Sequence, residues 1–479
     1  MLYKRICGGT MVKINILKNW NTYKNGPKSS VIVCYYLSFL PVIVSLLFGI
    51  FSLFNATNFK FLYLHLQYIY LLVLFPILFV AIDVTRMILG KYKIRFSIKA
   101  FLKEYPEIFV FASVLIWILI SCISRVIQGI VPNGFESVGF SIFAIYQGFP
   151  FFLFYAMCFC FAFSLKSRKI AENIIISLII CSTILAIFSL IDPTGNITFQ
   201  SLGNTNWCSV FFNSNYYGYY LSITTILCFG SFMINDNKLT KYTALGLGTI
   251  HLLVCFLNNS LACMLSVFIT LAIAPILLLI KNRKFDWKTL LPLIIFVILS
   301  QITLLFSKWY YSKYENFFSQ LANMFYELFG LIKDPTAPAS VTYGTGRAEL
   351  WLDSIKQIFS KNILFGSGRT NSLPHSEYLQ LAEIWGLPCL TLYLSAIIIV
   401  SIKCIKNLKF LSPITLTLLF SCISYLISAC FGNIMPHIAP YFIMILALLT
   451  RWSNVDIKKA KLQKQIQTDG IEITDNNVL

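Results

Sequence analysis

Charge is what this chain has least of. Asp, Glu, Lys and Arg make up 12% of its 479 residues, and the acidic share is the smaller, 19 against 38 basic. A soluble chain carries about 25% charged residues, so a soluble protein with buried helices is excluded. No His, Cys or carboxylate spacing of a metal-binding kind occurs, and no carboxylate cluster suits a metal, so neither a metal nor another cofactor is expected. A cleavable signal pattern is also missing. Residues 1–30 are basic and polar, and they lead into an apolar run that reads as an uncleaved anchor.

What is present is apolar: 57% hydrophobic residues and a mean hydropathy of +0.75. Apolar runs of about 17–25 residues, each able to cross a ~30 Å hydrocarbon layer, recur along the chain. The expected fold is all-α, a polytopic membrane bundle of about 12 spans with one long extracytoplasmic loop containing amphipathic helices. The expected spans cover 31–54, 62–82, 108–131, 141–163, 173–191, 215–234, 242–257, 261–280, 289–307, 385–402, 411–431 and 437–450. The spans at 242–257 and 261–280 could be a tight hairpin turning at Asn258-Asn259-Ser260. Four regions follow: spans 1–9 (1–307), the long loop (308–384), spans 10–12 (385–450) and a cytoplasmic tail (451–479) that starts basic, ends polar and acidic, and is expected to be solvated or to lie on the membrane surface before it frays.

The net charge of +19 raises nucleic acid as a partner, and its distribution argues against one. With both termini inside, 29 of the 38 Lys and Arg fall in cytoplasmic segments, and the short outer loops are nearly free of positive charge. That is the positive-inside pattern of a multi-pass protein of the cytoplasmic membrane. The 14 cysteines lie almost entirely within spans, where a thiol is a small apolar filler, so no disulfide framework is expected. Cys158 and Cys160 are two apart and face different ways on a helix.

The loop 308–384 is the one long polar interval between spans, with seven basic and seven acidic residues. Loops of that length are usually functional. Gly344 and Gly346 permit a turn into an amphipathic helix in which Trp351, Ile355, Ile358 and Phe359 share a face, opposite Glu349, Asp353 and Lys356. Arg347 falls in its first turn. There the free N–H groups and a planar guanidinium suit a diphosphate, or the arginine pairs locally with Glu349, Asp353 or a headgroup. His375 follows Pro374 and is expected at a second helix start, where the dipole favours neutral imidazole, a proton acceptor; the plainer reading is a structural hydrogen-bonder. Tyr378 and Leu379 share its face. Glu377 does not, though it could reach a substrate independently. Gly366-Ser367-Gly368 with Arg369 either turns the chain or cradles phosphate. Asn213 and Asn215 cap a helix or hold sugar hydroxyls. Arg125, near the end of a span, snorkels to headgroups or contacts an anion within the bundle.

Gly346-Arg347 with Leu350-Trp351, then Gly366-x-Gly368, His375-x-x-Tyr378-Leu379 and Gly386, resembles the O-antigen ligase and O-antigen polymerase superfamily of integral membrane glycosyltransferases. Asn213-Ser-Asn215-Tyr-Tyr-Gly218 resembles that family's asparagine-rich start of a span. The specific resemblance covers about 50 residues of the chain. It implies a metal-independent glycosyltransferase acting on undecaprenyl-diphosphate-linked glycan, with an acceptor glycan or lipid, at the outer face of the cytoplasmic membrane. Arg347 would hold the diphosphate and His375 would activate or orient the acceptor hydroxyl. Substrate contacts would include Arg369, Glu377, Tyr378, Arg125, Asn213 and Asn215. Flippase and chain-length regulator proteins would be partners. Two departures stand out. Asn259-Ser260-Leu261 lacks the arginine of the family's Ser-Arg pair, a contact that Arg125 or Arg369 would replace. Ser376 and Glu377 follow the histidine where the family frequently has asparagine.

Within that family a polymerase is favoured, building capsule, exopolysaccharide or O-antigen. The alternative is a ligase to lipid A–core or protein. A transporter or flippase is the competing class, but it would place polar groups near mid-membrane, whereas nearly all charge here lies at span ends.

Overall fold

The computed structural model describes residues 28–53, 61–89, 98–127, 149–191, 209–211, 213–310, 317–333, 347–360, 363–367 and 374–468, and among them every long regular element is an α-helix. In chain order these are α1 (Lys28–Leu53), α2 (Phe61–Ile88), α3 (Ile98–Glu104), α4 (Pro106–Ile127), α5 (Phe149–Phe163), α6 (Arg168–Ile191), α7 (Ser214–Ile234) and α8 (Lys238–Asn258). There follow α9 (Leu261–Asn282), α10 (Leu291–Tyr310), α11 (Phe317–Lys333), α12 (Arg347–Ser360), α13 (Glu377–Trp385), α14 (Leu387–Lys406), α15 (Pro413–Ala429) and α16 (Ala439–Thr468). Eight of them, α1, α2, α4, α6, α7, α8, α9 and α14, are long and apolar enough to cross a membrane. Shorter apolar helical stretches are Phe151–Phe163, Trp287–Thr303 and Pro413–Ala429.

The bundle is arranged around α7. Its span is 89% buried, against 11% for α2, which places α7 at the centre and α2 at the rim. α7 packs on α6, α8, α9 and α15. Helices α8 and α9 join by a tight turn at the place considered from sequence, though each packs on α7 far more than on the other: Asn259 takes a left-handed conformation (φ 56°) and Ser260 starts the next helix. Left-handed backbone suits asparagine better than most residues.

Described residues between α10 and α14 pack into the bundle. Phe317 of α11, a helix the sequence reading did not single out, is buried with its ring 5.3 Å from Phe296 and 5.7 Å from Phe268. Leu381, Ile384 and Trp385 of α13 belong to the main apolar core.

The expectation of a solvated tail from residue 451 needs correction for residues 451–457; from Lys458 the described residues are largely exposed, as expected. α16 continues unbroken to Thr468, and Arg451, Trp452, Ser453, Asn454 and Asp456 are buried. The reason is polar complementarity at the lysine- and arginine-rich end of the bundle. Arg451 donates to the Phe163 carbonyl (2.9 Å), and Asn454 donates to Glu107, which also pairs with Lys403 (2.9 Å). Asp456 pairs with Arg168 and accepts from the Ser412 N–H (2.8 Å) and the Thr415 hydroxyl (2.7 Å). Removing one member of such a network strands the others away from water. Asp456→Ala is therefore expected to cost about 3 kcal/mol, read as a clear fall in melting temperature of the detergent-purified protein. An unchanged melting temperature would contradict the clamp.

Candidate functional site

The site begins at a break between two helices. α13 ends at Trp385 and α14 starts at Leu387, with Gly386 between them at φ +87°. The 363–367 segment crosses this break. Leu387 N–H donates to the Ile363 carbonyl (2.9 Å) and Ser367 N–H to the Glu383 carbonyl (2.7 Å). Gly366 (φ +71°) and Gly386 meet there so closely that a Cβ on either would fall 2.3 Å from Ile384 O or 1.9 Å from Leu364 O. Only glycine fits both the backbone region and the space. Of the two readings of Gly366-Ser367, turning the chain describes what the backbone does, because the Ser367 N–H is spent on Glu383. α4 fastens the junction from the side: Trp117 Nε1 donates to the Trp385 carbonyl (3.1 Å) and Ser121 to the Phe365 carbonyl (2.5 Å).

This junction fixes the start of α13. Ser376 is its N-cap, so His375 lies one residue outside the helix, at φ 52°. The helix start expected after His375 is there; the face that His375 was expected to share with Tyr378 and Leu379 does not extend to it, because its own backbone is left-handed. Left-handed backbone at a non-glycine residue is strained by about 1–3 kcal/mol and clusters at functional sites. Arg347 is the first residue of α12. Arg347, Trp351, Ser354 and Ile358 follow one helical stripe at i, i+4, i+7 and i+11. Ser354 and Ile358 are buried, Trp351 lies 5.9 Å from the Phe431 ring, and Arg347 is half-buried. The expected apolar face is thus rotated: Ile355 and Phe359 form an exposed flank beside the buried stripe. The local partners considered for Arg347 are exposed on the other side, where Asp353 faces Lys356 at 3.8 Å.

α12 packs on α13, and Arg347 lies within electrostatic reach of His375. Burial lowers the His375 imidazole from its usual titration range, and the Arg347 guanidinium acts in the same direction. Both favour the neutral form, for which the helix dipole was the expected cause. Arg347 and Glu377 both lie within electrostatic reach of Tyr219 on α7. Around them lies the 430–438 link between α15 and α16. Gln380 Oε1 accepts from the Ile434 N–H (2.8 Å), and His437 stacks on Tyr216 with ring centroids 5.9 Å apart.

The other expected residues divide. Glu377 is fully buried, accepting from the Tyr425 hydroxyl (2.8 Å) and from Tyr393. Burial pushes its carboxyl up to about 7, and the two tyrosines oppose that shift. Both of its oxygens point into the bundle, so it braces α13 against α14 and α15; the expected substrate contact is replaced by that role. Tyr378 donates to the Leu426 carbonyl (2.8 Å). Asn213 caps α7 by accepting from the Asn215 N–H (2.8 Å), and Asn215 accepts from Ser260 (2.9 Å), tying α7 to the α8–α9 turn. Capping is what is observed for Asn213; Asn215 caps no described helix and instead joins two elements. Arg125 lies on α4, but its side chain is outside what is described; Arg369 and the Gly344–Gly346 turn lie outside the described residues altogether. Among the described residues no group of three metal-ligand side chains occurs. Sequence reasoning missed Tyr219, within reach of Arg347, and Gln380, which ties α13 to the 430–438 link.

No family model matches the chain, and no curated protein matches it.

The position of Glu377 has a consequence for stability. Its carboxyl titrates near 7 in the folded chain and near 4.5 when freely exposed to water. The proton is bound more tightly when folded, so this contribution is complete below about pH 4.5 and is lost as pH rises through about 7. The melting temperature of the wild type should fall across that window relative to Glu377→Gln. Parallel curves for the two proteins would contradict the buried carboxyl.

Proposed function

We propose that this protein is an integral membrane glycosyltransferase that moves a glycan from undecaprenyl diphosphate to an acceptor hydroxyl, most simply to polymerise lipid-linked repeats of a surface polysaccharide. The observation that supports the reading is a half-buried guanidinium within electrostatic reach of a neutral-biased imidazole in an apolar helical bundle. The two residues are 28 positions apart in sequence, and the packing of α12 on α13 is what brings their helix ends into one neighbourhood.

The chemistry needs few groups. The acceptor oxygen attacks the anomeric carbon, the bond from that carbon to the diphosphate oxygen breaks, and the acceptor proton passes to the His375 imidazole. The diphosphate leaves with its negative charge held against Arg347. General-base help and fixed positive charge each contribute about 10²-fold or more in such reactions. A base must be neutral to accept a proton, and burial together with Arg347 keeps His375 so. The exposed apolar flank of α12, Ile355 and Phe359, would rest in the lipid surface and hold Arg347 at headgroup depth.

This reading takes twelve spans, both termini in the cytoplasm and the 308–384 segment outside, with the basic end of the bundle facing the cytosol as charge asymmetry requires. Against the transporter class stands His251, buried at mid-span in α8. Both of its ring nitrogens are occupied, by Thr183 (2.9 Å) and Cys228 (3.8 Å), so it does not line an open path.

Arg347→Ala and His375→Ala are each expected to lower product formation about 100-fold or more at normal membrane levels, measured with lipid-linked repeat as sole substrate. Long lipid-linked chains in the wild-type reaction mark a polymerase; unchanged chain length with transfer to core marks a ligase. Full activity in both variants would remove the site. For orientation, a cysteine replacing Ser360 should react with an impermeant maleimide in intact cells, and one replacing Lys406 only after permeabilisation. The reverse pattern would end the reading.

A further inference from the structure

A tryptophan ring carries a large apolar surface, and folded chains usually cover most of it. Trp287, in the turn between α9 and α10, is 76% exposed. Its ring meets that of Phe285, also exposed, edge-on with centroids 4.8 Å apart. Arg283, Lys284 and Lys288 flank the pair in sequence and are exposed too. None of the ion pairs among the described residues includes these three cations. The one carboxylate of the turn, Asp286, is occupied by the Lys288 N–H (3.0 Å).

The backbone under these side chains is fixed. α9 ends on Arg283 in left-handed conformation (φ 54°), with its N–H on the Leu279 carbonyl (2.8 Å). Asp286 caps a single 3-10 turn, Trp287–Leu290, that leads into α10. Thr289 is buried, and its N–H (3.0 Å) and hydroxyl (2.6 Å) both donate to the Asp286 carbonyl. The Lys281 ammonium donates to the Leu411 carbonyl and ties the turn to the link before α15. A turn held this way keeps its indole pointing outward.

The surroundings say what covers it. Ile276 and Ile280 of α9 and Ile294 and Ile298 of α10 are exposed, and such faces on spanning helices meet lipid. Trp287 lies seven and eleven residues before Ile294 and Ile298, the spacing of one helical stripe, so the indole stands where the lipid-facing surface runs out. The turn belongs to the charged end of the bundle: Leu411 accepts from Lys281, and the next residue, Ser412, donates to Asp456. Apolar surface ending in an aromatic pair and then in cations is the profile of a headgroup layer. Cations that no carboxylate neutralises favour lipids of net negative charge over zwitterionic ones.

We propose that the α9–α10 turn is a binding site for anionic phospholipid, with Trp287 and Phe285 seated in the headgroup layer and Arg283, Lys284 and Lys288 holding lipid phosphate. Guanidinium and ammonium donors suit phosphate oxygens, and the ring pair sets their depth. The site is separate from Arg347 and His375, because α15 runs between them. Ser412 precedes that helix, and Phe431, which meets Trp351 of α12, follows it. The proposal does not depend on the glycosyltransferase reading.

The test uses the full chain in lipid nanodiscs and the emission of Trp287, taken as the difference between wild type and Trp287→Phe. Phosphatidylglycerol and phosphatidylcholine are present in equal amounts, and a bromine quencher is carried on the upper acyl chain of one or the other. Each cation near a surface favours anionic lipid about fivefold. Brominated phosphatidylglycerol should therefore quench Trp287 about threefold or more better than brominated phosphatidylcholine. The preference should vanish in the double variant Lys284→Gln, Lys288→Gln and shrink in concentrated salt. Both side chains are exposed, so the double variant should melt with wild type in pure phosphatidylcholine. Four results would overturn the site. Equal quenching by the two lipids would leave an interfacial tryptophan with no choice of lipid. A preference unchanged in the double variant would take the lysines out of it. Quenching by aqueous acrylamide alone would put the turn in water, free for a soluble partner. Loss of the preference on adding glycerol phosphate would assign the cations to a soluble phosphate.

Discussion

Hydrocarbon offers no hydrogen-bond partner, and that constraint orders this molecule. Every polar group placed within a span must be met by the chain itself. Two devices recur in the spans. Serine and threonine hydroxyls turn back onto carbonyls of their own helix, as Ser38, Thr183 and Thr270 do. Where two helices press closely, hydroxyls pair across the interface, as Ser182 and Thr224 do between α6 and α7. Charge is left to the two ends, and the ends use it differently. At one end Glu107 joins Lys403 and Asn454, and Asp456 joins Arg168, Ser412 and Thr415. At the other, Arg347 lies within electrostatic reach of His375. The first end reads as a clamp and the second is the proposed place for a ligand.

The second end is built from a backbone event. A long helix through 377–406 would carry the His375 end away from α12. The break at Gly386, held by the crossing of 363–367, turns α13 back over the bundle. Glu377 then locks α13 through Tyr393 and Tyr425. The strained backbone at His375 is held by buried neighbours on both sides, Pro374 and Ser376. Rigid support of this kind is what positions a base and a cation within reach of one substrate.

Much of the fold was legible because apolar runs of membrane length report themselves one window at a time. The α8–α9 turn was legible from Asn258-Asn259-Ser260, and the start of α12 from the residues around Arg347. Other features were not, for a common reason: they depend on contacts between distant segments. The burial of Arg451 and Asp456 needs Phe163, Arg168 and Thr415, which no local pattern announces. A tail rich in lysine looks solvated until its partners are known. The rotated face of α12 depends on Phe431. The roles of Glu377, Asn213 and Asn215 were open between ligand and structure, and tyrosines on α14 and α15 and a serine at the α8–α9 turn decided them. Tyr219 and Gln380 were invisible because only contacts with distant residues set them apart.

The account stands on Arg347 and His375 sharing one site, and the titration of His375 measures that most directly. With nitrogen-labelled histidine, assigned by His375→Gln, the imidazole of the ligand-free protein should titrate below its ordinary value of 6.5. In Arg347→Gln the same resonance should titrate higher, because a neighbouring positive charge has been removed. A His375 that titrates at an ordinary value, or that does not respond to the loss of Arg347, would contradict the shared site and the function built on it.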